Sequence, residues 1–446
     1  MIIVPTVTRE RREGKNPLSK TFSPDMQRDL DTYVELNDRY DKTVMSMSTA
    51  LYPTGSISKL SNDMDKLGES LNRTQTSDKL DEILKVEVLE RLEIMRIRLE
   101  STTDRNFDCN KIFRAYGIGE NDIKMMEEHF RKINFVEVAD RWVETNGNSY
   151  EAAADSTQEL ERIKKIYEKL VEVSFQLAPK DITSSFANSA DYVESTVKFS
   201  DDRNNTSYSS ANLVYWNLYT PKFIKIKEDM RYSAVPDIFN AARAVGEEGL
   251  LGHQGQFLRT EGEKTRIPKV LTISSSPVNT ASVEALGEMG SLNMLKQLER
   301  NTGMFSDVSE GDFKFIKQRF ELGEKMKTIQ RFLYLYKAYT FFNNGRNAKK
   351  TAEIIYDITK SPSILSEAYV RETDAHFNSG KFWATYGTAL DVSAYLYADI
   401  KAADINKKLE GVSEESRTNI QSNINLGYWT KKGFEQYVDY LFEKFS

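Results

Sequence analysis

The sequence predicts a mainly α-helical protein with two helical lobes, a few short strands in the middle and an extended N-terminal arm. Apolar residues recur at helical spacing through most of the 446 residues, a pattern typical of amphipathic helices. Aromatic and β-branched residues alternate between Asn212 and Lys227, which favours short strands there. Hydrophobic residues make up 39% of the chain, enough to form a sizeable core.

The first 22 residues are predicted to form an extended arm. Residues 2–7 are mostly apolar and β-branched, and Pro5 and Pro17 are incompatible with a helix interior. The first helix is expected to begin at Ser23-Pro24-Asp25, with the serine as N-cap, the proline in the first turn and the aspartate near the positive end of the helix dipole.

The remaining elements follow from the same periodicity and from turn residues. The segment 184–210 is rich in Ser, Asn, Asp and Thr and is expected to be a loop. One or two strands are expected within 212–227, and another is expected at 268–274. Helices are expected at 77–100, 119–140 and 151–177, and again from Ser282 to the end, where the last helix begins at Thr430.

Four glycines, at positions 246, 249, 252 and 255, divide the chain near its middle. They lack the lysine and the strand–helix frame of a phosphate-binding loop, so we expect a hinge rather than a nucleotide site. The predicted organisation is an arm at 1–22, an N-terminal lobe at 23–250, a hinge region at 251–280 and a C-terminal lobe at 281–446.

Residues that perform catalysis or bind metals are scarce. The single cysteine, Cys109, excludes an intramolecular disulfide and a Cys-based zinc site. The motifs of common phosphate loops and hydrolases are missing, so neither an enzyme nor a small-molecule substrate is predicted. No metal or other cofactor is expected, because the three histidines are far apart and outside the spacing of common metal motifs: His129, His253 and His376.

The acidic pairs and the apolar runs of the sequence also argue against a cation site, a membrane span and a signal peptide. Asp201-Asp202 and Glu247-Glu248 are expected to be solvated surface rather than a cation site. No stretch approaches the roughly 18 consecutive apolar residues of a membrane span, and the apolar start of the arm is too short for a signal-peptide core. We therefore expect a soluble intracellular protein that does not contact a membrane.

Charge is distributed unevenly along the chain. Lys and Arg total 61 and Asp and Glu total 67, which gives a net charge of −6. The segment 314–350 nevertheless contains ten basic residues against Glu321 and Glu324, a local charge of +8. Aromatic residues are interleaved with these cations. Basic side chains neutralise phosphates and aromatic rings stack on bases, so the segment indicates binding of single-stranded nucleic acid.

An alternative interpretation of the same segment is structural. Phe332, Tyr336 and Tyr339 would then belong to a hydrophobic core, and the basic residues would form the solvated face of a helix.

A smaller basic strip belongs to one of the predicted strands. Lys225 and Lys227 share one face of this strand, and Ile224 and Ile226 share the other. We expect this strip to form the wall of a cleft opposite the basic segment. The candidate RNA-binding residues are Lys225, Lys227, Lys317, Arg319, Lys325, Arg331, Arg346 and Lys350.

The last quarter of the chain resembles a known family. Phe377–Val392, FNSGKFWATYGTALDV, is similar to the C-terminal-lobe signature of paramyxovirus-type nucleoproteins, F-x-x-G-x-[YF] followed by an aromatic residue and A-M-x-V. Ile355-Tyr356 stands where that family has a Leu-Tyr pair, and Ile424–Trp429, INLGYW, resembles Leu-Asn-[Phe/Ile]-Gly followed by Tyr-Phe. The resemblance implies two helical lobes that clamp single-stranded RNA between them, and polymerisation through terminal arms exchanged between neighbours.

The leading hypothesis is a non-enzymatic viral nucleoprotein that coats single-stranded RNA without sequence preference. It would self-associate through the N-terminal arm into a helical or ring-like nucleocapsid, in the virion and the host cytoplasm. The alternative is a structural subunit of another virion or large assembly, such as a bacteriophage head or tail component, that binds no nucleic acid. A third hypothesis is an enzyme without recognisable motifs, which a deep, uncharged pocket with converging carboxylates and histidine would favour.

Overall fold

The computed structural model describes most of the chain. The described residues are 16–47, 54–103, 111, 113, 118, 123–124, 127–128, 131–147, 149–152, 157–200, 207–210, 213–218, 223–228, 231–274, 278–301, 303, 305, 308–378 and 382–446. Residues 2–7 of the predicted arm lie outside these ranges. At the base of the arm, Leu18 is fully buried in a core, and Lys20 forms an ion pair with Asp78 at 2.7 Å.

The fold is mainly α, as predicted. Numbered along the described chain, the helices are α1 (Pro24–Met47), α2 (Thr54–Arg73), α3 (Lys79–Thr103), α4 (Phe135–Gly147), α5 (Thr157–Leu177), α6 (Lys180–Thr183), α7 (Ser189–Thr196), α8 (Ile238–Glu248), α9 (His253–Glu263), α10 (Thr280–Arg300), α11 (Glu310–Asn343), α12 (Ala348–Thr359), α13 (Glu367–Asn378), α14 (Phe382–Glu410), α15 (Glu414–Ile424) and α16 (Lys431–Phe445). Short 3₁₀ helices occupy Lys269–Thr272 and Pro362–Leu365.

The strands form two small sheets in the middle of the chain. They are β1 (Ser149–Ala152), β2 (Val197–Ser200), β3 (Tyr208–Ser210), β4 (Leu213–Asn217), β5 (Phe223–Glu228) and β6 (Arg231–Pro236). One sheet has the order β1-β5-β6 and is antiparallel. The other has the order β2-β4-β3, with β2 parallel to β4. Trp216 of β4 is fully buried and stacks on Tyr167 of α5 with ring centroids 5.5 Å apart.

Helix ends follow their capping residues closely. Ser23 Oγ accepts a hydrogen bond from the Met26 amide at 3.2 Å, so α1 begins where the sequence predicts. Thr430 caps α16 in the same way and accepts from the Gly433 amide at 3.1 Å. The predicted strands within 212–227 are confirmed by β4 and β5.

Other local predictions are wrong. The polar segment 184–210 contains α7, β2 and β3, because Asn188 caps α7 and the strands pair with β4. The predicted strand at 268–274 is a 3₁₀ helix that starts directly after Pro268. The predicted helix at 119–140 is interrupted by a turn at 132–134 before α4 begins.

Three hydrophobic cores hold the helices together, and each joins distant parts of the chain. The first core combines α1, α2 and α3 with the start of α10 and with α14, α15 and α16. The second combines α5, β4 and α8 with the end of α10 and the start of α11. The third combines α3 and α4 with the rest of α11, α12 and α13. All three cores cross the predicted hinge region at 251–280, so the predicted lobes at 23–250 and 281–446 do not correspond to separate cores.

The glycine run predicted to be a hinge loop is instead a close helix crossing. Gly246 lies in α8 and packs against Gly290 of α10, and a Cβ atom on Gly246 would lie 2.6 Å from the carbonyl carbon of Gly290. Gly249 and Gly252 form the turn into α9, and Gly255 lies within α9. The absence of side chains therefore serves backbone contact between helices.

A buried ion pair connects the two ends of the chain. Glu87 and Arg91 lie one turn apart on α3, both are fully buried, and Arg91 Nε is 2.5 Å from Glu87 Oε1. The Glu87 carboxylate accepts hydrogen bonds from the Thr430 amide, at 2.9 and 3.1 Å, and from its hydroxyl at 2.7 Å. Arg91 donates to the carbonyl oxygens of Ile273 and Tyr428.

Replacing Glu87 should destabilise the protein strongly. Glu87→Gln keeps the shape of the side chain but leaves the Arg91 charge buried without its partner, so we expect the free energy of unfolding to fall by about 3–5 kcal/mol. Asp63→Asn is the control, because the Arg39–Asp63 pair is partly exposed and should contribute less than about 1 kcal/mol. Urea unfolding followed by circular dichroism measures both, and equal losses would contradict the assignment.

The helix crossing predicts opposite effects for two glycine substitutions. Gly246→Ala forces a methyl group into the backbone of α10 and should lower the free energy of unfolding by about 1–3 kcal/mol. Gly68→Ala lies in α2, where nothing is within 4 Å of the added Cβ, and should raise it by up to about 1 kcal/mol. A stable Gly246→Ala protein in the same urea titration would rule out the close crossing.

Candidate functional site

The predicted RNA-binding residues of α11 are largely engaged within the chain. Lys317 forms ion pairs with Glu299 at 3.0 Å and Glu321 at 3.7 Å. Arg319 is only 5% exposed, and its guanidinium lies 5.9 Å from the ring of Trp142. These two cations therefore contact the protein interior or neighbouring helices.

Arg331 of α11 is also held within the chain. It is 3.4 Å from Asp399 of α14, and its guanidinium lies 4.5 Å from the ring of Tyr395. Phe332 and Tyr336 are buried in the third core, and Tyr339 is packed against it. For the aromatic residues the structural interpretation is confirmed.

The other predicted residues are exposed or lie beyond the described side chains. Lys325, Arg346 and Lys350 are exposed. On β5, Lys225 pairs with Ala234 of β6 and Lys227 pairs with Tyr232. The side chains of these two lysines are outside the described part of the structure. The described members of the predicted set are thus divided between the interior and an open surface, and none of them lines the groove that follows.

A basic groove of about 880 Å³ lies mainly between α10, α14 and α15. Four cations line it, Lys296, Arg300, Lys407 and Arg417, against the single carboxylate of Glu410. The rest of the lining combines apolar side chains with amides. The apolar residues include Leu286, Met289, Leu292 and Ile424, and the amides are Asn293, Gln297, Asn406, Gln421 and Asn425.

The cations of the basic groove differ in how they are held. Lys296 forms an ion pair with Glu410, which connects α10 to the end of α14 and lowers the pKa of that carboxyl. Arg417 Nε donates to the Leu409 carbonyl at 2.9 Å. Arg300 and Lys407 are exposed. Three of these cations, Lys296, Arg300 and Lys407, are therefore accessible to solvent, and Lys296 and Arg417 are also held by contacts within the chain.

Sequence reasoning missed this groove because its residues come from helices far apart in the chain. The spacing of Lys296 and Arg300, one turn apart, indicates a shared helix face. Neither the position of Lys407 nor that of Arg417 indicates that these residues face the same space. Only the packing of α10, α14 and α15 brings them together.

A polar cluster lies on the opposite side of α10. At about 100° per residue, Glu284 and Glu288 project on one face of the helix, and the groove residues Met289, Asn293 and Lys296 project on the other. We define the polar cluster as six carboxylates, three cations and one histidine: Glu247, Glu248, Glu284, Glu288, Glu324 and Asp399; Arg243, Lys327 and Arg331; and His253.

Arg243 is the centre of the ion pairs in the polar cluster. Its side chain is 9% exposed, and it lies 3.7 Å from Glu247, 3.2 Å from Glu288 and 2.6 Å from Glu324. Burial opposes the charge of this arginine, but the surrounding carboxylates raise its pKa above the usual value. The predicted solvated pair Glu247-Glu248 therefore belongs to a half-buried cluster, and that prediction is wrong.

Burial disfavours ionisation of several carboxyls in the cluster. It raises the pKa of Glu288 to about 7 and that of Glu248 to about 7, although Ser209 donates a hydrogen bond to Glu248 at 2.7 Å. It also raises the pKa of Glu284 to about 8, with the neighbouring acids as a further cause. For the same reason the pKa of His253 is lowered. Burial therefore favours the neutral form of these carboxyls.

The nucleoprotein-like motifs lie in two different settings. Gly427 has φ = +84° and donates its amide to Thr260 Oγ1 at 3.0 Å, while its carbonyl accepts from Gln256 at 3.0 Å. This motif therefore packs against α9 in the interior. In the other motif, Phe377 is buried in the third core, and residues 379–381 lie outside the described ranges.

No family model matches the chain, and no curated protein sequence is significantly similar to it. The nucleoprotein resemblance therefore stays a prediction. Among the described residues, no helix combines the length and apolarity that crossing a membrane requires.

The buried carboxyl of Glu288 predicts a loss of stability at high pH. Its pKa is higher in the folded protein, about 7, than the ordinary value of 4.5. The folded state therefore binds its proton more tightly, and the free energy of unfolding should fall between about pH 4.5 and 8, by up to about 3 kcal/mol from this group. Glu288→Gln should flatten this decline.

The control for this prediction is Glu299→Gln, which removes an exposed carboxylate from the same helix. It should keep the wild-type pH dependence. Urea unfolding at pH 5, 6, 7 and 8, with EDTA present, measures the three proteins. A Glu288→Gln protein whose stability declines as steeply as the wild type would show that this carboxyl is ionised normally.

Proposed function

We propose that the protein is a non-enzymatic nucleoprotein of a virus, which binds single-stranded RNA without sequence preference and assembles into a helical or ring-like nucleocapsid. The observation that carries this proposal is the basic groove, where four cations face one carboxylate in a chain whose net charge is −6. An acidic protein that concentrates cations around a groove is suited to a polyanion, because field lines focus between low-dielectric walls.

The composition of the groove favours RNA as that polyanion. Lysine and arginine neutralise phosphates regardless of sequence. Five amide side chains supply both donors and acceptors, which suit ribose hydroxyls and base edges. The apolar lining residues provide contact area for bases. This mixture gives affinity with little discrimination among bases, as a coating protein requires.

The proposal moves the phosphate contacts from α11 to the groove. Lys317, Arg319 and Arg331 are engaged with Glu299, Trp142 and Asp399, so these cations are less available to RNA than the sequence indicates. The exposed Lys325, Arg346 and Lys350 stay candidates for peripheral phosphate contacts. Self-association through the N-terminal arm is part of the proposal and rests on its apolar residues.

One observation favours the alternative function. In that case the protein is a structural subunit of another virion or large assembly and binds no nucleic acid. Three of the eight cations predicted to bind RNA contact groups of the same chain. Negative-stain imaging with and without ribonuclease separates the two functions. Helices or rings that collapse on digestion support the nucleoprotein, and assemblies that withstand it support the alternative.

Charge reversal in the groove should weaken RNA binding. Arg300→Glu with Lys407→Glu changes two exposed groove residues. Fluorescence anisotropy of a labelled oligouridine should show weaker binding and a slope of log K against log salt that is smaller by about 1.4, since each phosphate contact on a single strand contributes about 0.7.

The matched control is Lys325→Glu with Lys350→Glu, which makes the same change of charge at exposed positions outside the groove. It should lower both the affinity and the salt slope by less than the groove variant does, because any phosphate contacts of these lysines are peripheral. An equal or larger loss in this control would place the RNA on the α11 surface instead. No binding by the wild type at low salt would reject RNA as the ligand.

A further inference from the structure

Three helices converge on a small group of donor atoms within the polar cluster. Glu247 lies at the end of α8, His253 is the first residue of α9, and Glu284 lies near the start of α10. One donor atom from each of these residues lies within 4.8 Å of the others. The spacing of these three residues in the sequence does not match a common metal-binding motif, so only the fold brings them together.

The backbone around this group fixes the position of the imidazole. Gly287, one turn after Glu284 on α10, lies directly against the ring, and a Cβ atom there would be 2.5 Å from His253 Cε1 and 2.7 Å from Nε2. On the same helices, Gly246 contacts Gly290. The close crossing of α8 and α10 therefore holds the histidine between the two glutamates.

One nitrogen of the imidazole has no hydrogen-bond partner among the described residues. His253 is 7% exposed, and its Nδ1 atom is buried without a hydrogen bond among the described residues. Its Nε2 atom faces Glu284 Oε2 at 3.8 Å, which is too long for a hydrogen bond. A buried polar atom normally has a hydrogen-bond partner. A buried nitrogen without one is therefore available to bind a ligand.

The charge of the surroundings also favours a bound cation. The polar cluster has six carboxyl groups against Arg243, Arg331 and Lys327, and burial lowers the pKa of that lysine. Arg243, the cation nearest to Glu247, is shared with Glu288 and Glu324. Glu284 receives a hydrogen bond from Tyr395 and a more distant contribution from Arg331. A divalent ion between Glu247 and Glu284 would balance most of the remaining acid excess.

We propose that Glu247, His253 and Glu284 bind one divalent ion of a first-row metal, represented by Zn²⁺ and Mn²⁺. One imidazole nitrogen and two carboxylate oxygens suit these ions, whereas Mg²⁺ and Ca²⁺ prefer oxygen ligands alone. Binding at about 2.0–2.2 Å would draw the donors from within 4.8 Å to roughly 3.3 Å of one another. The ion would hold α8, α9 and α10 together behind the basic groove.

This inference goes beyond RNA binding and does not depend on it. The first test uses the untagged full-length chain, stripped with EDTA and titrated calorimetrically with Zn²⁺, Mn²⁺ or Mg²⁺ alone. We expect one equivalent of Zn²⁺ or Mn²⁺ per chain and a higher melting temperature with that metal, but neither effect with Mg²⁺. If neither Zn²⁺ nor Mn²⁺ binds, or if Mg²⁺ binds as tightly, the proposal is wrong.

Variants then locate the ion. His253→Gln and Glu284→Gln should each weaken metal binding at least tenfold, while His376→Gln removes a histidine from α13 and should retain wild-type affinity. Circular dichroism shows whether each variant is folded. Wild-type affinity in a folded His253→Gln protein would exclude this site.

X-ray absorption of the zinc-loaded wild type provides a measurement that needs no variant. The first shell should contain only nitrogen and oxygen at about 2.0–2.2 Å, with the outer-shell signal of an imidazole. A sulfur neighbour would place the ion on Cys109 or a methionine, and a shell without imidazole would place it on carboxylates elsewhere. Either result would overturn the proposal.

Discussion

The buried pair of Glu87 and Arg91 is the contact on which the arrangement of both chain ends depends. Two charges that are fully removed from water require close mutual contact and further hydrogen bonds, and here the backbone of 428–430 and the carbonyl of Ile273 supply them. The Glu87 carboxylate therefore fixes where α16 begins. Because α16 completes the first core, the packing of the N-terminal helices depends on the C-terminal part of the chain.

The packing of the C-terminal helices on the N-terminal helices determines where the candidate sites lie. α10 crosses the middle of the molecule and contributes to the first two cores. One of its faces contacts α8 closely enough to require glycine and carries Glu284 and Glu288 into the polar cluster. Its opposite face carries Lys296 and Arg300 into the basic groove, whose other walls are α14 and α15 from the C-terminal part. One helix therefore separates an acidic interior from a basic concave surface.

The sequence predicted what local chemistry determines and missed what packing determines. Ser23 and Thr430 mark helix starts because a cap needs only neighbouring amides. The glycines at 246–255 and the polar segment 184–210 were predicted incorrectly, because the partners that make them helix or strand lie elsewhere in the chain. The same reason explains why no spacing rule indicates the group of Glu247, His253 and Glu284. These residues meet only through the packing of α8, α9 and α10.

Charge shows the same distinction between sequence and surface. The concentration of cations in the segment 314–350 is real, but Arg331 faces Asp399 and Lys317 faces Glu299, so part of that charge neutralises acids of the same chain. Only accessible cations whose charge is not neutralised within the chain can attract a polyanion. The basic groove has a smaller excess of positive charge than the segment 314–350, but its cations surround a concave space, and Arg300 and Lys407 are accessible to solvent. A few cations around a groove can produce a stronger electrostatic potential than a larger number of cations on an open helix surface. The reason is that the surrounding low-dielectric protein limits screening by water and salt.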